Sequence, residues 1–246
     1  MAGNISISHG LHGLNPDFIR VIRGVKTTPE GRRNLSSNRH IKTFLFDWDG
    51  TLVDSAHLGL IAFEKTFDEL GVPFVHSVYE ATYSPNWYST YEALGLQKEL
   101  WNVADNLWIR HYGEQCAPLI EGVGETLLAL HTKSYQLAIV TSGSRSRVSR
   151  EVEQCVLREA FDVIICNEDI VNKKPHPEGL LNAMRAMDVD ASQCAYVGDA
   201  PEDIEMGRSA KVMTIGVRSA YPSSARLASA NPDLYLERLA ELVDHF

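Results

Sequence analysis

Two aspartates one residue apart, Asp47 and Asp49, follow the apolar run IKTFLF (41–46) and stand directly before Gly50 and Thr51 in the stretch DWDGT. Like charges that face the same small volume repel each other strongly away from bulk water, and a bound divalent cation removes that repulsion. A buried strand that ends on such a pair therefore predicts a binding or catalytic site at its end.

Further polar groups follow later apolar runs. They are a hydroxyl-bearing turn (Thr141, Ser142 and Gly143), a third carboxylate (Asp199) and a lysine before a proline (Lys174). In an open α/β sheet these groups would meet at the carboxyl edge, where ligands bind. Carboxylates without His or Cys favour Mg²⁺ over zinc, and we predict that Asp47, Asp49 and Asp199 bind it.

The matching anion beside such a cation is a phosphoryl group, held by Lys174, by Thr141 and by nearby backbone N–H groups. The two leading carboxylates can then divide the chemistry. Asp47 is predicted to attack phosphorus and form a phosphoaspartate. Asp49 is predicted to protonate the leaving oxygen and later to take a proton from water, with its backbone carbonyl in the metal shell. Gly50 lets the chain turn away.

The elements that must position these groups alternate along the chain. Apolar runs predict strands at 41–46, 136–142, 161–166, 193–198 and 212–217. Amphipathic helices are predicted between the later runs, at 123–133, 145–157, 177–187 and 201–210. Strands this apolar are buried on both faces, so the pattern predicts an α/β fold with a doubly wound, Rossmann-like parallel sheet.

Residues 55–118 interrupt this alternation with helical patterns alone. We predict that they form a small α-helical cap domain, inserted into an α/β core of residues 41–54 and 119–246. Residues 1–40 show no sustained periodicity and are predicted to be a flexible, basic N-terminal extension.

The motifs DWDGT, TSG, KKP and GDAPED, in this order, resemble those of the haloacid dehalogenase superfamily, in its phosphatase branch with a small helical cap. The resemblance spans about residues 41–240. It implies that Asp47 is the nucleophile, that Asp49 is the general acid/base and that Lys174 steadies nucleophile and phosphate. It also implies that Thr141 binds phosphate, that Asp199 binds Mg²⁺ and that Asp203 supports the site. The predicted function is Mg²⁺-dependent hydrolysis of a small phosphate monoester, of sugar, polyol or phosphoglycolate type.

Two other functions remain open. A phosphoglucomutase-like enzyme would pass the phosphoryl group to a sugar hydroxyl; such members often carry a histidine at the position of Gly59, although His57 lies close by. A non-catalytic interaction module is the third possibility, and it would be expected to lose Asp47 or Asp49.

Several other side chains are assigned a default role. Arg145 and Arg147, which follow the TSG turn, are predicted to be solvent-exposed, and so is Lys173. Most aromatic residues of the cap are predicted to form its core, while those in the irregular stretch YSPNWYS (83–89) are better candidates for touching the substrate.

Composition narrows the class of protein. The chain has a net charge of −9 and 44% hydrophobic residues, which indicates a packed core and argues against nucleic acid as the main partner. No stretch approaches the ~20 apolar residues that span a bilayer. Four scattered cysteines suit a reducing compartment, so we expect a cytoplasmic protein without a membrane partner.

Overall fold

A six-stranded parallel sheet lies at the centre of the computed structural model, which describes residues 41–246. Its strands are β1 (Thr43–Phe46), β2 (Gln136–Val140), β3 (Val163–Ile165), β4 (Cys194–Gly198), β5 (Met213–Val217) and β6 (Leu234–Leu236). Their order in the sheet is β3-β2-β1-β4-β5-β6. The chain therefore changes direction across the sheet between β1 and β4, the switch point where α/β folds place a ligand. This confirms the predicted fold class; the predicted extension, 1–40, lies outside the described residues.

Strand β1 is fully buried between β2 and β4. All four of its residues are buried, which accounts for its unbroken apolar sequence. Successive side chains of a strand point to opposite faces. Phe44 and Phe46 accordingly belong to the apolar cluster on one face of the sheet, and Leu45 belongs to the cluster on the other.

Helices cover both faces. They are α5 (Val123–Thr132), α6 (Arg145–Gln154), α7 (Glu178–Met187), α8 (Pro201–Ser209) and the terminal turn α9 (Leu242–His245). None of the helices within residues 41–246 has both the length and the apolar character that crossing a membrane requires.

Four further helices lie between β1 and α5. They are α1 (Ala56–Glu69), α2 (His76–Thr82), α3 (Trp87–Ala93) and α4 (Trp101–Tyr112). They bury an apolar cluster of their own, in which aromatic side chains such as Phe63 and Phe67 pack with Leu94, Leu96 and Ala104. We call this group the cap helices; their bounds as a domain, 55–118, stay a prediction.

One strand was not predicted from the sequence. The segment of β6 has only three residues, and its central Tyr235 is 36% exposed, so it shows no apolar run. It forms because β5 offers a free edge: Gly216 is paired with Tyr235 in the parallel register. Pairing with a neighbour, rather than local sequence, determines this strand.

Truncating Phe67 should destabilise the protein through the cap helices. Its side chain is 0% exposed and packs edge-to-face against Phe74. We expect Phe67→Ala to lower the free energy of unfolding by about 3–5 kcal/mol, because the cavity left behind cannot close fully. Urea unfolding followed by tryptophan fluorescence measures this. The matched control Val103→Ala, at a side chain 47% exposed, should stay within about 0.5 kcal/mol of the wild type; equal losses at both positions would contradict the packing.

Candidate active site

Lys174 joins two buried carboxylates at the carboxyl edge of the sheet. Its Nζ lies 2.7 Å from Oδ1 of Asp47 and 2.7 Å from Oδ1 of Asp203. All three residues are buried, with at most 4% exposure. Burial alone would lower the pKa of Lys174, but Asp203 and Asp47 raise it well above its ordinary value. The lysine is therefore a fixed positive charge beside the predicted nucleophile.

Asp199 adds a third carboxylate. Oxygens of Asp47, Asp199 and Asp203 lie within 4.8 Å of one another, with one ammonium to balance them. Burial first, and then Asp203, raise the pKa of Asp47 to about 7 despite Lys174. Burial, Asp203 and Asp47 raise the pKa of Asp199 well above its ordinary value. Excess negative charge held by oxygen donors alone fits a hard divalent cation such as Mg²⁺.

The sequence assigned the metal to Asp47, Asp49 and Asp199. In the structure the third carboxylate of the cluster belongs to Asp203 instead of Asp49. Its position comes from local structure. Pro201 begins α8, and Oδ2 of Asp203 accepts the backbone N–H of Ala200 at 3.0 Å. Oδ1 accepts the hydroxyl of Tyr196 at 3.0 Å. The metal role of Asp49 rests on its backbone carbonyl and stays a prediction.

The side chain of Asp49 faces a different partner, Arg147. Arg147 Nη1 donates to Oδ1 of Asp49 at 2.9 Å, and Nη2 donates to Oδ2 at 2.5 Å. Ser55 Oγ also donates to Oδ1, at 2.6 Å. Burial would raise the pKa of Asp49, but the guanidinium outweighs it and the pKa is lowered. Two aspartates one residue apart are thereby held with opposite tendencies to ionise.

The predicted exposure of Arg147 is wrong: the residue is only 4% exposed. Its guanidinium also binds Glu151, one helical turn along α6, with Nη1 3.0 Å from Oε2. Glu151 is fully buried and accepts hydrogen bonds from Trp48 Nε1 at 2.7 Å and from the Tyr112 hydroxyl at 2.8 Å. A signal was available in the sequence, since Arg147 and Glu151 lie on the same helical face as Val148 and Val152, which point into the core.

Two glycines allow the carboxylates to approach the backbone. A Cβ on Gly50, whose φ is +77°, would lie 2.4 Å from Oδ2 of Asp199. A Cβ on Gly198 would lie 2.4 Å from the carboxyl carbon of Asp203. Thr51, the next residue after Gly50, is fully buried beneath this turn. The backbone at both positions must therefore stay without a side chain.

A cavity of about 160 Å³ opens above these groups. Its floor contains Asp47, Asp49 and Asp199 with the turn Thr141, Ser142 and Gly143, in which Thr141 Oγ1 accepts the N–H of Gly143 at 3.0 Å. Its roof comes from the cap helices and from the stretch 83–89 that was predicted to touch substrate, of which Tyr83, Ser84, Pro85 and Trp87 line the cavity. Trp87 to Ser89 are helical rather than irregular, as the start of α3. The site therefore joins a hydroxyl-bearing turn, a carboxylate cluster and an aromatic wall.

Lys173 links the floor to the roof. It was predicted to be exposed, but it is half-buried, and its Nζ lies 4.1 Å from the ring centre of Trp87 and 5.0 Å from that of Tyr88. The adjacent Lys174 points instead toward Asp47 and Asp203, and its role in a phosphate site stays a prediction.

Removing one carboxylate should stabilise the metal-free protein. Because folding raises the pKa of Asp199, its ionised form destabilises the folded protein. The free energy of unfolding lost in this way begins above the ordinary pKa of 3.8 and grows as pH rises. Asp199→Asn in EDTA should therefore raise the Tm by about 2–6 °C at pH 8, and by less at pH 5. Mg²⁺ should raise the Tm of the wild type but not that of the variant.

Differential scanning fluorimetry measures these shifts, and Asp54→Asn, at an exposed position near the site, is the control. A variant no more stable than the wild type in EDTA at pH 8 would contradict the repulsion.

Removing Arg147 should leave Glu151 buried without a counter-charge. We expect Arg147→Met to lower the free energy of unfolding by about 3–5 kcal/mol. Adding Glu151→Gln to that variant should recover at least about 1 kcal/mol, because the uncompensated charge is gone. Urea unfolding of the two variants measures the difference; equal stability of the single and double variants would show that the charge of Glu151 is not what Arg147 balances.

Comparison with known proteins agrees with this geometry. Residues 44–217 match the model of the haloacid dehalogenase-like hydrolase family. A pyrophosphatase, PpaX, of Halalkalibacterium halodurans is 32% identical over 83% of this chain and 96% of its own.

Solved structures share the fold. A predicted phosphoglycolate phosphatase from Haemophilus somnus has a TM-score of 0.73 at 21% identity, over 85% of this chain and 99% of its own. A β-phosphoglucomutase from Clostridium difficile has a TM-score of 0.69 at 19% identity, over 82% of this chain and 93% of its own. The chain therefore belongs to the haloacid dehalogenase-like hydrolases, as a member of their phosphatases.

Proposed function

We propose that the protein is a Mg²⁺-dependent phosphatase that hydrolyses a small-molecule phosphate ester through a phosphoaspartate at Asp47. The observation that carries this proposal is the position of Asp47. Its carboxylate lies 2.7 Å from the Lys174 ammonium, belongs to the carboxylate cluster and lines the cavity. A nucleophile, a fixed cation and a cation-binding cluster thus meet at one point.

The residues divide the two half-reactions. In the first, an oxygen of Asp47 attacks phosphorus, the bond from phosphorus to the leaving oxygen breaks, and Asp49 in its protonated form supplies the proton that the leaving oxygen takes. In the second, Asp49 accepts a proton from water, the water oxygen attacks phosphorus, and the bond to Asp47 breaks with release of phosphate. The guanidinium of Arg147 favours the ionised form of Asp49, which accepts the proton of water in the second half-reaction and donates it in the first half-reaction of the next cycle.

The remaining groups bind and orient the phosphoryl group. Lys174 balances the charge of Asp47, while the Thr141 hydroxyl, whose oxygen accepts the N–H of Gly143, can donate its own proton to a phosphoryl oxygen. Asp47, Asp199 and Asp203 would hold Mg²⁺, which would neutralise charge on the phosphoryl oxygens. Preorganised charge of this kind supplies most of the rate enhancement in phosphoryl transfer.

Transfer to water is favoured over transfer to a second sugar hydroxyl. A Cβ on Gly59 would lie 3.5 Å from the Tyr221 hydroxyl and 3.8 Å from the Trp108 ring, so a side chain at this position would reach residues of the cavity wall. Glycine offers no group there, and His57 is exposed on the surface. This chain therefore lacks the histidine that phosphoglucomutase-like members often carry at the position of Gly59.

Substitution of the nucleophile tests the proposal. Asp47→Asn should reduce Mg²⁺-dependent phosphate release by at least about 10³-fold, because the amide cannot form the phosphoenzyme. Phosphate release is measured from p-nitrophenyl phosphate, sugar and polyol phosphates, phosphoglycolate and pyrophosphate, with Mg²⁺ and with EDTA.

The control is Asp54→Asn, an exposed aspartate seven residues further along the same segment; it should retain wild-type rates. Undiminished activity in Asp47→Asn would disprove the mechanism. Silence across the panel, from folded protein that binds Mg²⁺, would instead favour the mutase or the non-catalytic module.

A further inference from the structure

Away from the predicted phosphate site, the charged side chains that line the cavity are mostly acidic. Among residues 41–246, Arg147 is the only lysine, arginine or histidine that lines the cavity. Its guanidinium is already bound to Asp49 and Glu151. The carboxylates that line the cavity are Asp47, Asp49, Asp105, Glu168 and Asp199.

The cations of the cap helices are directed elsewhere. Arg110 and His111 both bind Glu69 on the outer surface, and the sequence had left them open as partners for a second anionic group. Lys98 pairs with Glu92 in the same way. Lys173, the cation nearest the roof, is covered by the ring of Trp87. Within the described part of the chain, the roof therefore offers no positive charge to a ligand.

The roof is instead aromatic, with one carboxylate among its rings. Rings of Phe63, Tyr83, Trp87, Tyr91 and Trp108 line it. The one carboxylate among them, Asp105, already accepts hydrogen bonds from Trp87 Nε1 at 2.8 Å, Tyr88 at 2.9 Å and Tyr91 at 3.2 Å. This arrangement leaves no site for a second anion and places a negative charge behind the aromatic surface.

Uncharged hydrogen-bonding groups remain free at the cavity. Nε1 of Trp108 and the hydroxyls of Ser142 and Ser144 are buried and have no hydrogen-bond partner within residues 41–246. Buried polar groups are costly unless they are paired. Hydroxyl groups of a ligand would satisfy them, while the C–H faces of the same ligand would pack against the rings.

We propose, on the basis of the phosphatase function above, that the substrate is a monophosphate whose leaving group is an uncharged, hydroxyl-bearing alcohol without a second phosphate or a carboxylate. The cavity carries its positive charge at the phosphoryl end alone. A second anionic group would lose its hydration against aromatic rings and face Asp105 and Glu168, while Arg147, the one cation of the lining among residues 41–246, is already bound to Asp49 and Glu151. Of the substrate types expected from the sequence, this selects sugar or polyol phosphates over phosphoglycolate.

Substrate pairs that differ in one anionic group test this directly. Ethylene glycol monophosphate and phosphoglycolate share a two-carbon skeleton, and glucose 1-phosphate and glucose 1,6-bisphosphate share a sugar. We expect kcat/KM to be at least tenfold higher for the first member of each pair. It should also be at least tenfold higher for glucose 1-phosphate than for pyrophosphate. A preference for the second members, or for pyrophosphate, overturns the proposal.

A charge placed in the roof sharpens the test. Ile109 on α4 lines the cavity and is 43% exposed, so an arginine can be accommodated there. Ile109→Arg should reduce the preference for the uncharged member of each pair by about tenfold. Val103→Arg, on the same helix at 47% exposure and away from the cavity lining, is the matched control and should leave the preference unchanged. Equal ratios in the two variants would overturn the role of the roof.

Binding separates this inference from the proposed mechanism. Calorimetric titration of the Asp47→Asn variant with each pair, in Mg²⁺, compares affinities without turnover. Tighter binding of the uncharged member supports the inference even if the catalytic assignment fails. Tighter binding of phosphoglycolate or of the bisphosphate, by a variant that no longer turns over substrate, overturns the inference while leaving the role of Asp47 intact.

Discussion

Repulsion among three buried carboxylates is the constraint on which the rest of the structure depends. Asp47, Asp199 and Asp203 place oxygens within 4.8 Å of one another, and Lys174 balances only part of their charge. Such a cluster persists because the surrounding fold holds it in place. Adjacent parallel strands β1 and β4 supply two of the carboxylates, and the first turn of α8 supplies the third. The stability given up at this edge is compensated by the apolar clusters on both faces of the sheet.

A second network separates the roles of two aspartates that are almost adjacent in sequence. Asp47 is drawn into the carboxylate cluster, where its pKa is raised, while Asp49 turns to Arg147, which lowers its pKa. Arg147 is itself held by Glu151, which Trp48 and Tyr112 anchor. Trp48, the residue between the two aspartates, thus helps to position the cation that controls one of them. Tyr112 comes from the last cap helix, so the same network also joins the cap helices to the core.

The cap helices supply most of the roof of the cavity above the carboxylate cluster. The fold is shared with proteins described as a phosphoglycolate phosphatase and a phosphoglucomutase, and at these identities the likeness concerns the fold alone. In this chain the roof is aromatic, its one carboxylate is engaged by ring N–H and hydroxyl groups, and its cations bind acidic partners on the outer surface. Lys173 contacts the ring of Trp87 and so connects the roof to the loop that carries Lys174. The proposed selectivity would therefore depend on the side chains of the roof.

The sequence by itself determined the fold class and the order of the chemical groups. Apolar runs alternating with amphipathic helices specify a parallel sheet, and Asp47, Thr141, Lys174 and Asp199 follow strand ends, which meet at one edge in such a sheet. These features are local, so periodicity and spacing reveal them. Strand β6 was not predicted because its pairing with β5, rather than its composition, determines it. The first turn of α8 orients the carboxylate of Asp203 locally. The burial of Arg147 and the direction of Lys173 were decided by tertiary structure alone. Each depends on partners distant in sequence, because the energy of a charge is set by the groups that surround it after folding.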